Sequence, residues 1–128
     1  ENLYYIGRIF NIPKAELDKR IQYLLDKLQL TNDSTLVENF STGMKKKVMV
    51  ARAFLNDPDI IFADEIMNGL DSDTCEIVED MFQEAIEKGK TVFLVSHTGV
   101  HNQNHVRNYV VEKGKIRYAE SSEEISED

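Results

Sequence analysis

Two hydrophobic periods divide the chain. Leu17, Ile21, Leu24, Leu25 and Leu28 recur at three- and four-residue intervals, the period of one helical face, and predict an amphipathic helix from about Lys14 to Leu30. The same spacing returns at Met44, Val48, Ala51 and Leu55, in a segment that Ser41 or Thr42 can cap. Upstream, Glu1 to Phe10 is rich in apolar residues and tyrosine and is punctuated by Pro13. Thr31-Asn32-Asp33-Ser34 is turn chemistry between helices, so residues 1–57 read as an all-helical unit. After Pro58 the pattern changes. Ile60-Ile61-Phe62-Ala63 is an unbroken apolar run, which predicts a strand over Asp59 to Ala63 buried on both faces of a parallel sheet. Ile77, Val78, Met81, Phe82 and Ala85 predict a helix capped by Ser72 or Asp73, running to about Lys88 and ended by Gly89. Thr91 to Val95, β-branched and uncharged, is a second strand, and the pair joined by one helix makes a right-handed βαβ unit. Asn108 to Glu112 and Lys115 to Tyr118 flank Lys113-Gly114 as a hairpin. Ser121 and Glu124 form a capping box for a short last helix. The expected class is α/β, with a helical subdomain at residues 1–57 and a sheet with flanking helices at 58–128.

Composition narrows the function classes. At 128 residues with 41% hydrophobic content the chain can bury a moderate core. A net charge of −8 argues against a broad nucleic-acid surface, because the basic run Lys45-Lys46-Lys47 with Arg52 is narrow. The single cysteine, Cys75, excludes an internal disulfide and fits a reducing compartment. No apolar stretch approaches the roughly 20 residues of a membrane span, and no secretory signal pattern is present. If the protein works at a membrane, other chains cross it.

The candidate chemistry is concentrated between Asn39 and Asp71. Phe40-Ser41-Thr42-Gly43 opens onto a helix, whose free N–H groups and positive dipole end suit a phosphate; an ordinary helix cap is the lesser alternative when the loop is read alone. Asp64 and Glu65 follow the apolar strand directly, where α/β sheets bind ligands. One carboxylate at a strand end can serve Mg²⁺, which keeps several waters, and a second just beyond can orient or deprotonate an attacking water. A solvent-facing acidic pair fits the same two residues. His97, His101 and His105 have a spacing that invites a metal reading, yet His97 belongs to a strand end and not to a helix shared with the others. A phosphate cradle and a magnesium carboxylate in one stretch point to nucleotide chemistry.

At these residues the chain resembles the ATP-binding domain of ABC transporters, closest to the exporter-type branch. Glu1-Asn2-Leu3 matches the opening of the family's helical subdomain, and Phe40-Ser41-Thr42-Gly43-Met44 sits where the family has its L-S-G-G-Q signature. Asp64-Glu65 closes the Walker B strand, Gly69-Leu70-Asp71 forms the D-loop, and Ser96-His97 supplies the switch histidine. The resemblance implies the C-terminal part of a P-loop NTPase sheet after the helical subdomain. It implies that Asp64 helps hold Mg²⁺, that Glu65 is the catalytic base, and that His97 reaches the γ-phosphate. It further implies that Ser41, Thr42, Gly43, Met44 and Asp71 address ATP held by the opposite protomer. The cofactors are then ATP and Mg²⁺, and the partners a second ATP-binding domain, as a homo- or heterodimer, and membrane-spanning transporter subunits. No nucleic acid is expected, and the location is cytoplasmic, peripheral on the inner face of the cell membrane. Thr42 replaces the first signature glycine, Ile66 stands where proline is usual, and Met67 where threonine is usual. Loss of the proline frees the backbone after Glu65.

No G-x-x-x-x-G-K-[ST] run occurs in the chain, so nothing in it cradles the β- and γ-phosphates in cis. The chain is therefore expected to be the C-terminal part of an ABC ATPase domain. The complete protein is expected to couple ATP hydrolysis to transport, and the isolated chain neither to bind ATP tightly nor to hydrolyse it. Two alternatives stand beside that reading: a non-transport ABC ATPase, and a non-catalytic remnant that offers its signature loop to a partner ATPase.

Overall fold

A computed structural model describes residues 2–30, 41–97 and 106–119 of the chain. They fall into two compact units, Glu1–Ser96 and His97–Asp128, each taken by itself. The expected turn at Thr31–Ser34 and capping box at Ser121 and Glu124 lie outside the described residues.

The first unit begins with α1 (Asn2–Ile9) and α2 (Lys14–Lys27). Pro13, with φ −56° and ψ 140°, precedes α2 and lends its carbonyl to the amides of Glu16 at 3.0 Å and Leu17 at 2.9 Å; having no N–H, it leaves no donor unsatisfied at the helix entry. The leucine stripe of α2 faces inward as its period requires. Leu17, Ile21, Leu24, Leu25 and Leu28 are all buried, in one core with Val50, Ala51 and Leu55 of α3 (Thr42–Leu55). Arg20 donates to the Leu55 carbonyl at 2.9 Å, satisfying an acceptor that the end of α3 leaves without a helical partner.

The chain then enters β1 (Ile60–Asp64), α4 (Ser72–Glu87) and β2 (Thr91–Val95). β1 and β2 pair in parallel, from Ile60 opposite Thr91 to Asp64 opposite Val95, and α4 packs against β2. Val78, Met81, Phe82 and Ala85 of α4 join Ile61 and Ala63 in the core. Gly89, at φ 83°, ends α4 in a left-handed turn: its amide bonds the Ile86 carbonyl at 2.9 Å and that of Lys90 the Ala85 carbonyl at 3.0 Å, a Schellman arrangement. Lys90 then closes the strand entry, its ammonium bonding the carbonyls of Asp57 and Pro58, both at 3.0 Å, and the Asp57 carboxylate at 2.7 Å. That bond holds the Asp57 carboxyl below its ordinary value. Between helices, the Glu84 carboxylate takes Lys27 at 2.6 Å and the Tyr23 hydroxyl at 3.1 Å.

Burial on both sheet faces is not observed. Successive strand side chains point to opposite faces, and only the Ile61–Ala63 face is buried. Phe62 is 77% exposed and Phe93 54% exposed, their rings stacked with centroids 5.0 Å apart. With one crossover helix on a two-stranded sheet, the second face has no cover among the described residues.

The second unit contributes the expected hairpin, β3 (Asn108–Glu112) with β4 (Lys115–Ala119), antiparallel. Lys113 and Gly114 both have positive φ, 48° and 75°, as a two-residue turn matched to strand twist requires.

Candidate functional site

The end of β1 and the beginning of α3 meet at one turn. Ser41, extended at φ −60° and ψ 163°, is the cap of α3, and its hydroxyl accepts from the Met44 amide at 3.2 Å. That settles the choice between Ser41 and Thr42 in favour of Ser41. Thr42, Gly43 and Met44 form the first turn, with no acidic residue to offset its positive dipole end. A Cβ on Gly43 would lie 3.9 Å from the Gly69 carbonyl oxygen, so this turn stands beside the segment that follows β1.

Asp64 is the last residue of β1 and its side chain is exposed. Strand alternation puts it opposite buried Ala63, on the uncovered face. Glu65 continues the pairing, its amide donating to the Val95 carbonyl at 3.0 Å. Its φ is then 49°, the left-handed region, which costs a non-glycine residue about 1–2 kcal/mol. The backbone turns over Glu65 to Asn68, with the Asn68 amide bonding the Glu65 carbonyl at 3.2 Å. The Asn68 side-chain amide donates to Glu65 Oε2 at 2.8 Å. Lys46 reaches across from α3 and donates to the Asn68 carbonyl and, at 3.4 Å, to the Glu65 carbonyl. Ile66, Met67 and Leu70 pack against the core. Ile66, which stands where the family's proline would, thus anchors the turn by burial and not by ring stiffness.

The basic run Lys45 to Lys47 is unevenly exposed. Lys45 is exposed, but Lys46 and Lys47 are half-buried, and Lys46 is bonded to the turn. Sequence reasoning missed Lys46 and Asn68; the only available signal was a basic residue within two turns of the cap.

Asp71, not Ser72 or Asp73, caps α4. One carboxylate oxygen accepts the Thr74 amide and the other the Thr74 hydroxyl, both at 2.9 Å. These bonds, the backbone one first, depress the Asp71 pKa, with a smaller contribution from Lys47. The correction is geometric: Asp71 is the residue with extended backbone, three positions before the amide it satisfies. The Cys75 thiol lies 3.8 Å from the Met67 carbonyl and 4.0 Å from that of Leu70, and burial raises its pKa.

His97 is exposed and begins the second unit, two residues after Val95. Phe40, His101 and His105 lie outside the described residues. Among the described residues no three His, Cys, Asp or Glu side chains are grouped as a metal cage. A lone exposed carboxylate such as Asp64 suits Mg²⁺, which takes its remaining ligands from water and phosphate.

Residues 1–68 match the family model described as ABC transporter. The chain belongs to that family. Among curated relatives of this ABC transporter chain, Nod factor export ATP-binding protein I of Cupriavidus pinatubonensis is 35% identical over 98 residues, covering 76% of this chain and 30% of the relative. ABC transporter ATP-binding protein NatA of Bacillus subtilis is 37% identical over 98 residues, covering 76% and 40%. A solved structure of the ATP-binding subunit of an ABC transporter superposes with a TM-score of 0.67 at 28% identity, covering 73% of this chain and 40% of the other. The mixed helix and strand architecture is thus that of part of an ABC ATPase subunit. This ABC transporter chain spans 30–40% of the length of those relatives. None of its described helices is long and apolar enough to cross a membrane.

Proposed function

We propose that the chain supplies the signature loop, magnesium carboxylate and catalytic base of an ATP-hydrolysing subunit that powers transport across a membrane. The observation that carries this reading is the Asp64-Glu65 pair at the carboxyl end of the parallel strand β1, where α/β sheets bind ligands. The start of α3 stands beside the turn that follows this strand. Glu65 accepts the proton of the water that attacks the terminal phosphate, and His97 takes the part of the family's switch histidine. Ser41, Thr42, Gly43 and Met44, the capped start of α3, close over ATP held by a second ATP-binding domain, identical or not, and Asp71 links the two sites. Asp64 would hold the magnesium ion, which neutralises charge developing on the phosphate oxygens.

The 128 residues contain no phosphate-cradling G-x-x-x-x-G-K-[ST] run, so the isolated chain does not bind ATP tightly or turn it over. Membrane-spanning subunits are the further partners, at the cytoplasmic face. The exposed Tyr5, Ile9 and Phe10 at α1 give a partner an apolar surface to cover.

Replacing Glu65 with glutamine in the complete ATP-binding protein that carries this chain tests the assignment. Turnover should fall about 10²–10⁴-fold while ATP binding survives; turnover kept within twofold of the parent would remove Glu65 from the chemistry. Calorimetry of the isolated chain with ATP and Mg²⁺ should give no saturable heat. Binding in the micromolar range, about −8 kcal/mol, would show that the chain has a phosphate site of its own.

A further inference from the structure

We propose that Lys46 and Asn68 are positioning residues for Glu65, and that through Lys46 the signature helix α3 sets where that carboxylate stands. The inference rests on the reading of Glu65 as the catalytic base.

Three observations carry it. Glu65 holds a left-handed backbone, φ 49°, with Ile66 after it in place of the family's proline. That conformation does not sustain itself in a non-glycine residue, so surrounding contacts must impose it. Lys46 makes such contacts, because its ammonium bonds the carbonyls of Glu65 and Asn68, the first and last residues of the turn. Asn68 orients the reacting group itself, donating to Glu65 Oε2 at 2.8 Å. An amide donor on Oε2 fixes the carboxylate without supplying the base a proton, and Oε1 is buried beside it.

Lys46 also lies within two turns of Ser41, on the helix whose first residues form the signature loop. A displacement of α3 when that loop engages nucleotide is therefore felt at the Glu65 turn through a direct bond. A lysine reaching two carbonyls can also be only a structural clip. The two roles differ in what they move. A clip changes stability, whereas a positioning residue changes kcat at constant ATP affinity and acts only through Glu65.

The test is steady-state ATP hydrolysis by the complete ATP-binding protein carrying the chain, with Lys46→Met, Lys46→Arg, Asn68→Ala and Glu65→Gln, singly and combined. Asn68→Ala and Lys46→Met should each lower kcat about tenfold, with the KM for ATP changed less than about twofold. Lys46→Arg, which can still donate to both carbonyls, should recover most of the loss. Neither substitution should reduce the residual turnover of Glu65→Gln further, because residues acting as a unit are not additive. Unchanged kcat in both single variants, with Glu65→Gln inactive, would overturn the inference and leave the base assignment intact. A loss carried wholly by KM, or a further tenfold loss on the Glu65→Gln background, would also overturn it. Full turnover by Glu65→Gln would remove the base assignment and this inference together. Asn68 is exposed, so Asn68→Ala decides the matter even if Lys46→Met folds poorly.

Discussion

Gly7 lies inside α1, where a glycine ordinarily weakens a helix and replacement by alanine gains about 1 kcal/mol. Here the sign should reverse. A Cβ at Gly7 would stand 2.7 Å from Cδ2 and 3.0 Å from Cγ of Leu17, and closer still to Cδ1. Leu17 is only 1% exposed, enclosed in the core shared with α3, so its methyls cannot swing into solvent. Overpacking of this kind costs about 1–3 kcal/mol, which at the middle of that range outweighs the propensity gain and leaves Gly7→Ala destabilising by about 1 kcal/mol. For a chain of this size the shift is roughly 2–8 °C in Tm, measurable by circular dichroism. Shortening the neighbour tests the cause: Leu17→Val removes reach at the clash, so the double variant should lose less than the two single losses added together. An unchanged or raised Tm for Gly7→Ala would refute the close approach of α1 and α2 on which the calculation rests.

Lys90→Met, which removes a nearly buried ammonium from two carbonyls and the Asp57 carboxylate, should cost about 1–2 kcal/mol by urea titration; no loss would mean that the strand entry is held without it. Asp57 and Glu84 are both depressed below their ordinary values of 3.8 and 4.5 by Lys90 and Lys27, so their stabilisation is complete above those values and is lost as pH falls through the lower folded ones. Both carboxylates are well exposed, which limits each to well under 1 kcal/mol, and Lys90→Met should remove the Asp57 share of that acid dependence. Phe62→Ala should change the stability of the isolated chain by less than about 0.5 kcal/mol, whereas Ile61→Ala, on the buried face of β1, should cost about 2–5 kcal/mol; comparable losses at the two positions would show that both sheet faces are covered.

Signals confined to one element were legible in the sequence. The stripe of α2, the limits of β2 and the turn at Lys113-Gly114 all follow from periods and turn chemistry acting over a few residues. The coverage of β1 was not legible, because an apolar run of four residues is the same whether one face or both are packed. What decides it is how many elements surround the strand, and among the described residues α4 is the helix packed on this sheet. The cap of α4 was misplaced by one residue for a related reason: Asp71, Ser72 and Asp73 are all capping types, and the choice depends on which backbone is extended.

The candidate site shows the same division more sharply. The sequence displays a missing restraint, Ile66 in place of proline, but not what compensates for it. The compensation comes from Lys46, which meets the turn 19 and 22 positions along the chain. Within its own helix that lysine reads as one of a basic run of three, Lys45 to Lys47. No local period reports a bond between elements. The left-handed backbone of Glu65 is equally invisible, since glutamate has no preference for it and the turn imposes it. The sequence therefore names the two carboxylates, while what holds Glu65 in place depends on contacts that exist only once α3 has packed beside β1. A substitution on α3 that leaves every motif intact can in this way alter the geometry at the carboxylate.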